Sequence, residues 1–146
     1  MTEQNITDTS LQIVKEFSAS VEKVYAAWTD PKQMMQWMGP GEVKCENVQI
    51  DLKVGGNYSI EMVTDECEHP NAIGEYKEIV PNKRLQFTWS WKGGDMPDTL
   101  VTLDFEDMGG TTKLTLVHEN FSTREAAEKH NMGWHGCLEN LNRFFS

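Results

Sequence analysis

The last quarter of the chain constrains the fold most. A strand-like run, Leu114-Thr115-Leu116-Val117-His118-Glu119-Asn120-Phe121, hands over directly to one long amphipathic segment. There Trp134, Cys137, Leu138, Leu141, Phe144 and Phe145 fall on one stripe at helical spacing. The helix should start near Ser122 or Thr123, with Glu125 favoured by the N-terminal dipole. A kink is expected between Asn131 and Gly133, because glycine is costly inside helices. A single apolar stripe has to be buried against another layer. The preceding residues read mostly as short strands, so the helix should lie across a curved antiparallel sheet and leave an apolar cleft.

The strand pattern supports that picture. Residues 1–10 read as a flexible polar tail, and 11–146 as one domain. Leu11, Ile13 and Phe17 suggest a first strand. Ser20 is placed to cap a helix over Val21–Trp28, and Asp30-Pro31 to restart a short one. Met34, Met35, Trp37 and Met38 give that piece an apolar side before Gly39-Pro40-Gly41 stops it. Six further strands are expected near 43–52, 57–64, 71–80, 84–92, 98–107 and 111–120. Their breaks, such as Gly55-Gly56, Pro81-Asn82-Lys83 and Gly109-Gly110, suit tight antiparallel hairpins. One face alternates cleanly through Leu85, Phe87, Trp89 and Trp91, then Val101, Leu103 and Phe105, then Leu114 and Leu116.

Composition excludes several functions. A net charge of −10 repels phosphate backbones and anionic headgroups, which argues against nucleic acid and membrane surfaces. A neutral small molecule or a basic protein partner fits better. Three cysteines without a CxxC pair suit reduced thiols and a cytoplasmic setting. Met1 to Ser10 lacks the basic and apolar regions of a signal peptide, and no run reaches the ~18 apolar residues of a membrane span.

The order of short motifs resembles the START-like (SRPBCC) helix-grip superfamily. Within it, the chain is similar to single-domain homologues of the C-terminal domain of the heat-shock-protein-90 ATPase activator. The resemblance runs through Ala19 to Val24, Trp28-Thr29-Asp30-Pro31, Trp37-Met38-Gly39-Pro40 and Asp51-Leu52-Lys53-Val54-Gly55-Gly56. It continues through Gly74-Glu75-Tyr76-Lys77-Glu78-Ile79, Arg84 to Trp89, His118-Glu119-Asn120-Phe121, and Gly133-Trp134 with Leu138 and Leu141. It implies an α+β fold, a seven-stranded antiparallel sheet wrapped around the C-terminal helix, with two short helices after strand one. It also implies a ligand carrier, a chaperone cofactor with a stress-response role, or a cyclase-like enzyme. The activator has a separate N-terminal domain as well, for which these residues leave no room, so ATPase stimulation is not expected to carry over.

The candidate ligand cavity consists of Trp28, Met35, Trp37, Tyr58, Met62, Tyr76, Trp89, Trp91, His118, Trp134 and Leu138. Tryptophan offers a flat wall with one N–H, and methionine adapts to irregular ligands. Much of such a set would be core in any domain, yet all five tryptophans are hard to fit in a small core. His118 shares strand parity with Leu114 and Leu116 and should point at the helix, as a hydrogen-bonded histidine or as an anchor at the cavity mouth. Acid–base chemistry would need a partner, for which Glu75 and Glu78 are the nearest candidates. Lys15 lies on the inward face of its strand, either snorkelling out or placed as a cation in the cavity. Asp51 and Gly55-Gly56 suit turn chemistry, the aspartate capping hairpin amides. Asp65-Glu66-Cys67-Glu68-His69 lacks metal-ligand spacing, and His130 and His135 do not share a helical face, so no metal or cofactor is expected.

Three functions follow in order. The first is non-catalytic binding of a small hydrophobic molecule between sheet and helix. The second is a chaperone cofactor acting through its acidic surface. The third is a cyclase- or hydrolase-like enzyme using His118. A monomer or a homodimer fits, since an exposed edge strand can pair.

Overall fold

A computed structural model describes residues 2–40, 43–64, 66 and 68–146, with side chains described from residue 5 onward. The elements in chain order are β1 (Thr2–Ile6), β2 (Ser10–Phe17), α1 (Val21–Thr29), α2 (Pro31–Met34), β3 (Lys44–Ile50), β4 (Asn57–Val63), β5 (Asn71–Val80), β6 (Arg84–Trp91), β7 (Thr99–Asp107), β8 (Thr112–Glu119) and α3 (Arg124–Phe144). All strands join one antiparallel sheet in the order β1-β2-β8-β7-β6-β5-β4-β3. With α3 against its concave face, this is the helix-grip fold.

The sheet has eight strands, one more than the sequence suggests. The extra strand is β1, which falls in the stretch read as a flexible tail. Its pairing needs only backbone: Gln4 lies opposite Ile13 on the edge that β2 would otherwise leave bare. The Thr7 hydroxyl accepts from Ser10 N at 3.0 Å and closes the hairpin. Polar side chains hide such a strand from a hydrophobic-pattern reading.

The helices start where their caps dictate. Ser20 Oγ accepts from Lys23 N, and Thr123 Oγ1 from Ala126 N at 3.1 Å. Asp30 serves both short helices. Its N–H closes α1 on Ala26 O at 2.8 Å, and its carboxylate accepts from Lys32 N at 3.0 Å to open α2. The expected kink in α3 does not interrupt it: the helix runs unbroken through Gly133.

Cross-strand rows build the core. Phe87, Val101, His118 and Leu11 stand in one row, and Leu85, Leu103, Leu116 and Ile13 in the next. All eight are buried. Bulges between Cys45 and Asn47 and between Tyr76 and Glu78 curl the β3–β6 end of the sheet. Tyr58 packs across β5 at Gly74, and its hydroxyl donates to Thr88 O. A Cβ at Gly74 would sit 1.9 Å from that same carbonyl oxygen and 2.7 Å from the Tyr58 ring. Only glycine permits this contact. Among the described residues, no helix is long and apolar enough to cross a membrane.

Candidate functional site

The site is the cleft between the curled end of the sheet and α3. Its outer part is an open space of about 330 Å³ walled by Met38, Met62, Trp89, Trp91, Gly133 and Trp134, among others. That volume lies at the small end of the range of about 300–1,000 Å³ for ligand sites. Its inner part, of about 10 Å³, lies among Trp28, Met34, Tyr58, Ile60, Tyr76 and Phe87. Met38, Trp89 and Trp134 border both parts. The Trp134 ring packs 5.0 Å from Trp89 and 5.9 Å from Trp28 between centroids.

Helix phase explains the outer wall. His130, Gly133, Trp134 and Cys137 follow i, i+3, i+4, i+7 spacing and form one face of α3. A Cβ at Gly133 would meet nothing within 4 Å, so the missing side chain leaves space there. The opposite wall, which includes Met38, Pro40 and Val43, is clipped to α3. Gly39 N donates to Cys137 Sγ at 3.4 Å, and Asn140 Nδ2 donates to Gly39 O at 2.6 Å. Gly41, expected to help stop the second helix, lies outside the described residues.

Two histidines brace the cleft from behind and from the side. His118 is 0% exposed. Trp134 Nε1 donates to its Nδ1 at 3.0 Å, so the ring proton is on Nε2. Nε2 lies 2.6 Å from Thr99 Oγ1, whose own hydrogen goes to Trp89 O at 2.7 Å. Every polar atom in this chain of bonds is satisfied. Burial, then the nearby His130, hold the His118 pKa well below its usual value, so the ring is neutral. His130 receives Trp91 Nε1 on its Nε2 at 3.1 Å and gives Nδ1–H to Ala126 O at 2.8 Å. Burial lowers its pKa too.

The sequence-derived residues separate into groups. Met62, Trp89, Trp91 and Trp134 wall the open space. Trp28, Tyr58 and Tyr76 fill the inner end, where burial pushes both tyrosine hydroxyls up in pKa. Trp37 lies in the core and donates to Ala27 O at 3.1 Å. Leu138 is buried but does not wall the cleft. Met35 is 37% exposed: its backbone continues the helical path of α2, its N–H bonding to Pro31 O at 3.1 Å, so it sits about 100° around the helix from the buried Met34, on the solvent side. His118 stands one layer behind Trp134 rather than at the mouth.

The other candidates lie outside the cleft lining. Glu75 pairs with Lys77 at 3.1 Å and Glu78 with Arg84 at 3.6 Å. Lys15 is half-buried opposite Leu114, and it adds to burial, the larger cause, in lowering the pKa of His135. At the Asp51 hairpin the backbone carbonyl accepts from Lys53 N at 2.9 Å, while the carboxylate makes an exposed pair with Lys53 at 3.7 Å. Of the charged hairpin tip, Asp65 and Cys67 lie outside the described residues. His69 approaches Glu61 at 3.6 Å, and with Glu46 they form a surface cluster. Burial raises the Cys137 thiol to about 12 and Cys45 to about 11, so neither supplies a thiolate near neutrality. Met38, Val43, Pro70, Lys129, His130, Gly133 and Cys137 join the lining without having been singled out for it. Helical spacing around Trp134 is the signal that would have found three more of the site's residues: His130, Gly133 and Cys137.

Known proteins agree with this architecture. The family model described as "Activator of Hsp90 ATPase homolog 1-like protein" matches residues 18–146. The crystal structure of protein CV1439 from Chromobacterium violaceum is 25% identical, with a TM-score of 0.86 over 94% of this chain and 96% of that one. The AHSA1 (SPO3351) protein from Silicibacter pomeroyi is 26% identical, with a TM-score of 0.81 over 92% and 95%. CalU16 from Micromonospora echinospora is 25% identical, with a TM-score of 0.75 over 100% and 85%. No curated protein matches the chain closely enough to count as a relative.

Proposed function

The chain belongs to the activator of Hsp90 ATPase homolog 1-like family, and from that premise we propose that it binds a small hydrophobic molecule, without chemistry, between the sheet and α3. One observation carries this reading: the open space of about 330 Å³ with tryptophan and methionine walls. Apolar concave sites with few polar groups are where small ligands bind. Catalysis finds little support beside it. His118 has both nitrogens engaged, and neither Glu75 nor Glu78 borders the space. The free thiols of Cys45 and Cys137 favour a reducing, cytoplasmic setting.

Gly133→Leu tests the reading, because its side chain would grow into the open space without meeting neighbours within 4 Å at Cβ. The fluorescence of N-phenyl-1-naphthylamine, a neutral apolar reporter, should rise on mixing with the native protein. It should rise far less with a folded Gly133→Leu variant. No rise with the native protein, or equal rises with both, would sink the proposal.

A second reading draws on the family description and the net charge of −10. In it, the acidic surface contacts a heat-shock-protein-90-type chaperone. Such a contact should weaken steeply between low and physiological salt. Chaperone retention that ignores salt would rule out this electrostatic form.

A further inference from the structure

We infer that the ligand carries a neutral hydrogen-bond acceptor, a carbonyl or ether oxygen, at its buried end, and that the indole N–H of Trp89 donates to it. This rests on the apolar-ligand reading and adds the chemistry of the buried end.

The indole inventory points there. Trp37, Trp91 and Trp134 donate to Ala27 O, His130 Nε2 and His118 Nδ1. Trp28 Nε1 and Trp89 Nε1 are buried and have no hydrogen-bond partner among the described residues. Leaving a buried N–H unmade is unfavourable, and an indole nitrogen can only donate. The missing group is therefore an acceptor. Trp89 borders both the open space and the narrow inner one, whereas Trp28 borders only the inner one. Of the two indoles, Trp89 is therefore the one that also borders the space a ligand would occupy.

Charge and flexibility narrow the class. Lys129 is the cation among the described lining residues, and its side chain is 74% exposed and paired with Glu125 at 3.1 Å. It offers no buried countercharge for an anion, and desolvating an unpaired anion is expensive. Met38 borders both spaces, and its Sδ has a weak contact with Cys137 Sγ at 3.8 Å. Its unbranched side chain can change rotamer and let the ligand's leading end pass inward. A flat aromatic or conjugated ketone fits the tryptophan walls and the acceptor requirement together. The rival partner is one water, since an inner space of about 10 Å³ is at the lower limit for holding one.

Two probes of equal heavy-atom number separate these outcomes: 2-acetylnaphthalene and 2-isopropylnaphthalene. Both are titrated into protein carrying ¹⁵N-labelled tryptophan, with indole signals assigned through single Trp→Phe variants. Both probes should bind, the ketone about tenfold more tightly. The Trp89 indole proton should move downfield with the ketone alone. A folded Trp89→Phe variant should bind the two equally. Equal affinities in the native protein, with no ketone-specific movement of Trp89, would overturn the acceptor proposal while leaving the apolar cleft intact. Binding of neither probe would overturn both. Should Trp89→Phe fail to fold, the indole shift in the native protein still decides.

Discussion

The inner and outer ends of the cleft are built from the same kinds of residue, aromatics and methionines. One is core and the other is open. At the inner end α1 and α2 drive Trp28 and Met34 down onto Tyr58, Tyr76 and Phe87, and only about 10 Å³ remains. At the outer end the covering helix is α3, and at the critical turn it presents Gly133. About 330 Å³ stays open there. Residue type does not separate core from site. What covers each end does, and so does the size of the side chain on the covering face.

Tryptophan truncation should show the largest contrast. Trp28 is 2% exposed and packs at 4.6 Å from Trp37 and 5.9 Å from Trp134 between ring centroids. Trp28→Ala should cost about 3–5 kcal/mol by urea unfolding. Trp91 is half-buried against the open space, so Trp91→Ala should cost about 1 kcal/mol and act mainly on reporter binding. Equal losses of stability would erase the distinction between the two ends.

Gly74→Ala comes next. It places a methyl 1.9 Å from a backbone oxygen that cannot retreat without moving β6. Overpacking of this kind costs about 1–3 kcal/mol. The Tyr58 hydroxyl bond to Thr88 O is shared by the same site, so the inner end should loosen first. A melting temperature unchanged from the native protein would show that the strand crossing is more pliable than its geometry implies.

These positions also show what a sequence can and cannot disclose. The inward face of β6, β7 and β8 was legible because period-two alternation reports burial directly. The caps at Ser20 and Asp30 were legible because they are local chemistry, and the start of α3 was narrowed to Ser122 or Thr123. The strand β1 was not, since backbone pairing to an edge needs no apolar residues. Which aromatics plug and which line was illegible as well. Trp28 and Trp91 look alike until the helices that cover them are in place. Gly133 could be read as a helix defect, yet its role as the absent side chain of a cleft wall needs the opposite wall to be seen.

Acid should weaken the whole cleft by a moderate amount. His118 is held below its usual pKa of 6.5 in the fold, so the unfolded chain takes up the proton first as pH falls. Its contribution is complete above about pH 6.5 and is lost progressively below it, by up to about 1.4 kcal/mol per pH unit for one proton. His130 and His135 are lowered too and act in the same direction. Urea unfolding between pH 7 and pH 5 should show this slope, and His118→Gln should remove about one proton's worth of it. An identical slope in that variant would mean that His118 is already protonated in the fold, which contradicts its bond from Trp134.

The smallest effect is the most discriminating. Gly133→Ala adds a methyl to a helical position with no neighbour within 4 Å. It should raise stability by about 0.5–1 kcal/mol, because alanine exceeds glycine in helix propensity and nothing opposes the methyl sterically. An equivalent change at the inner end has the opposite sign, as Gly74→Ala does, because space there is already taken. Thermal unfolding of the two variants therefore reads the packing of the two ends directly. A destabilising Gly133→Ala would mean that the outer end closes over its own space in solution, and the cleft would then have to open for any ligand to enter.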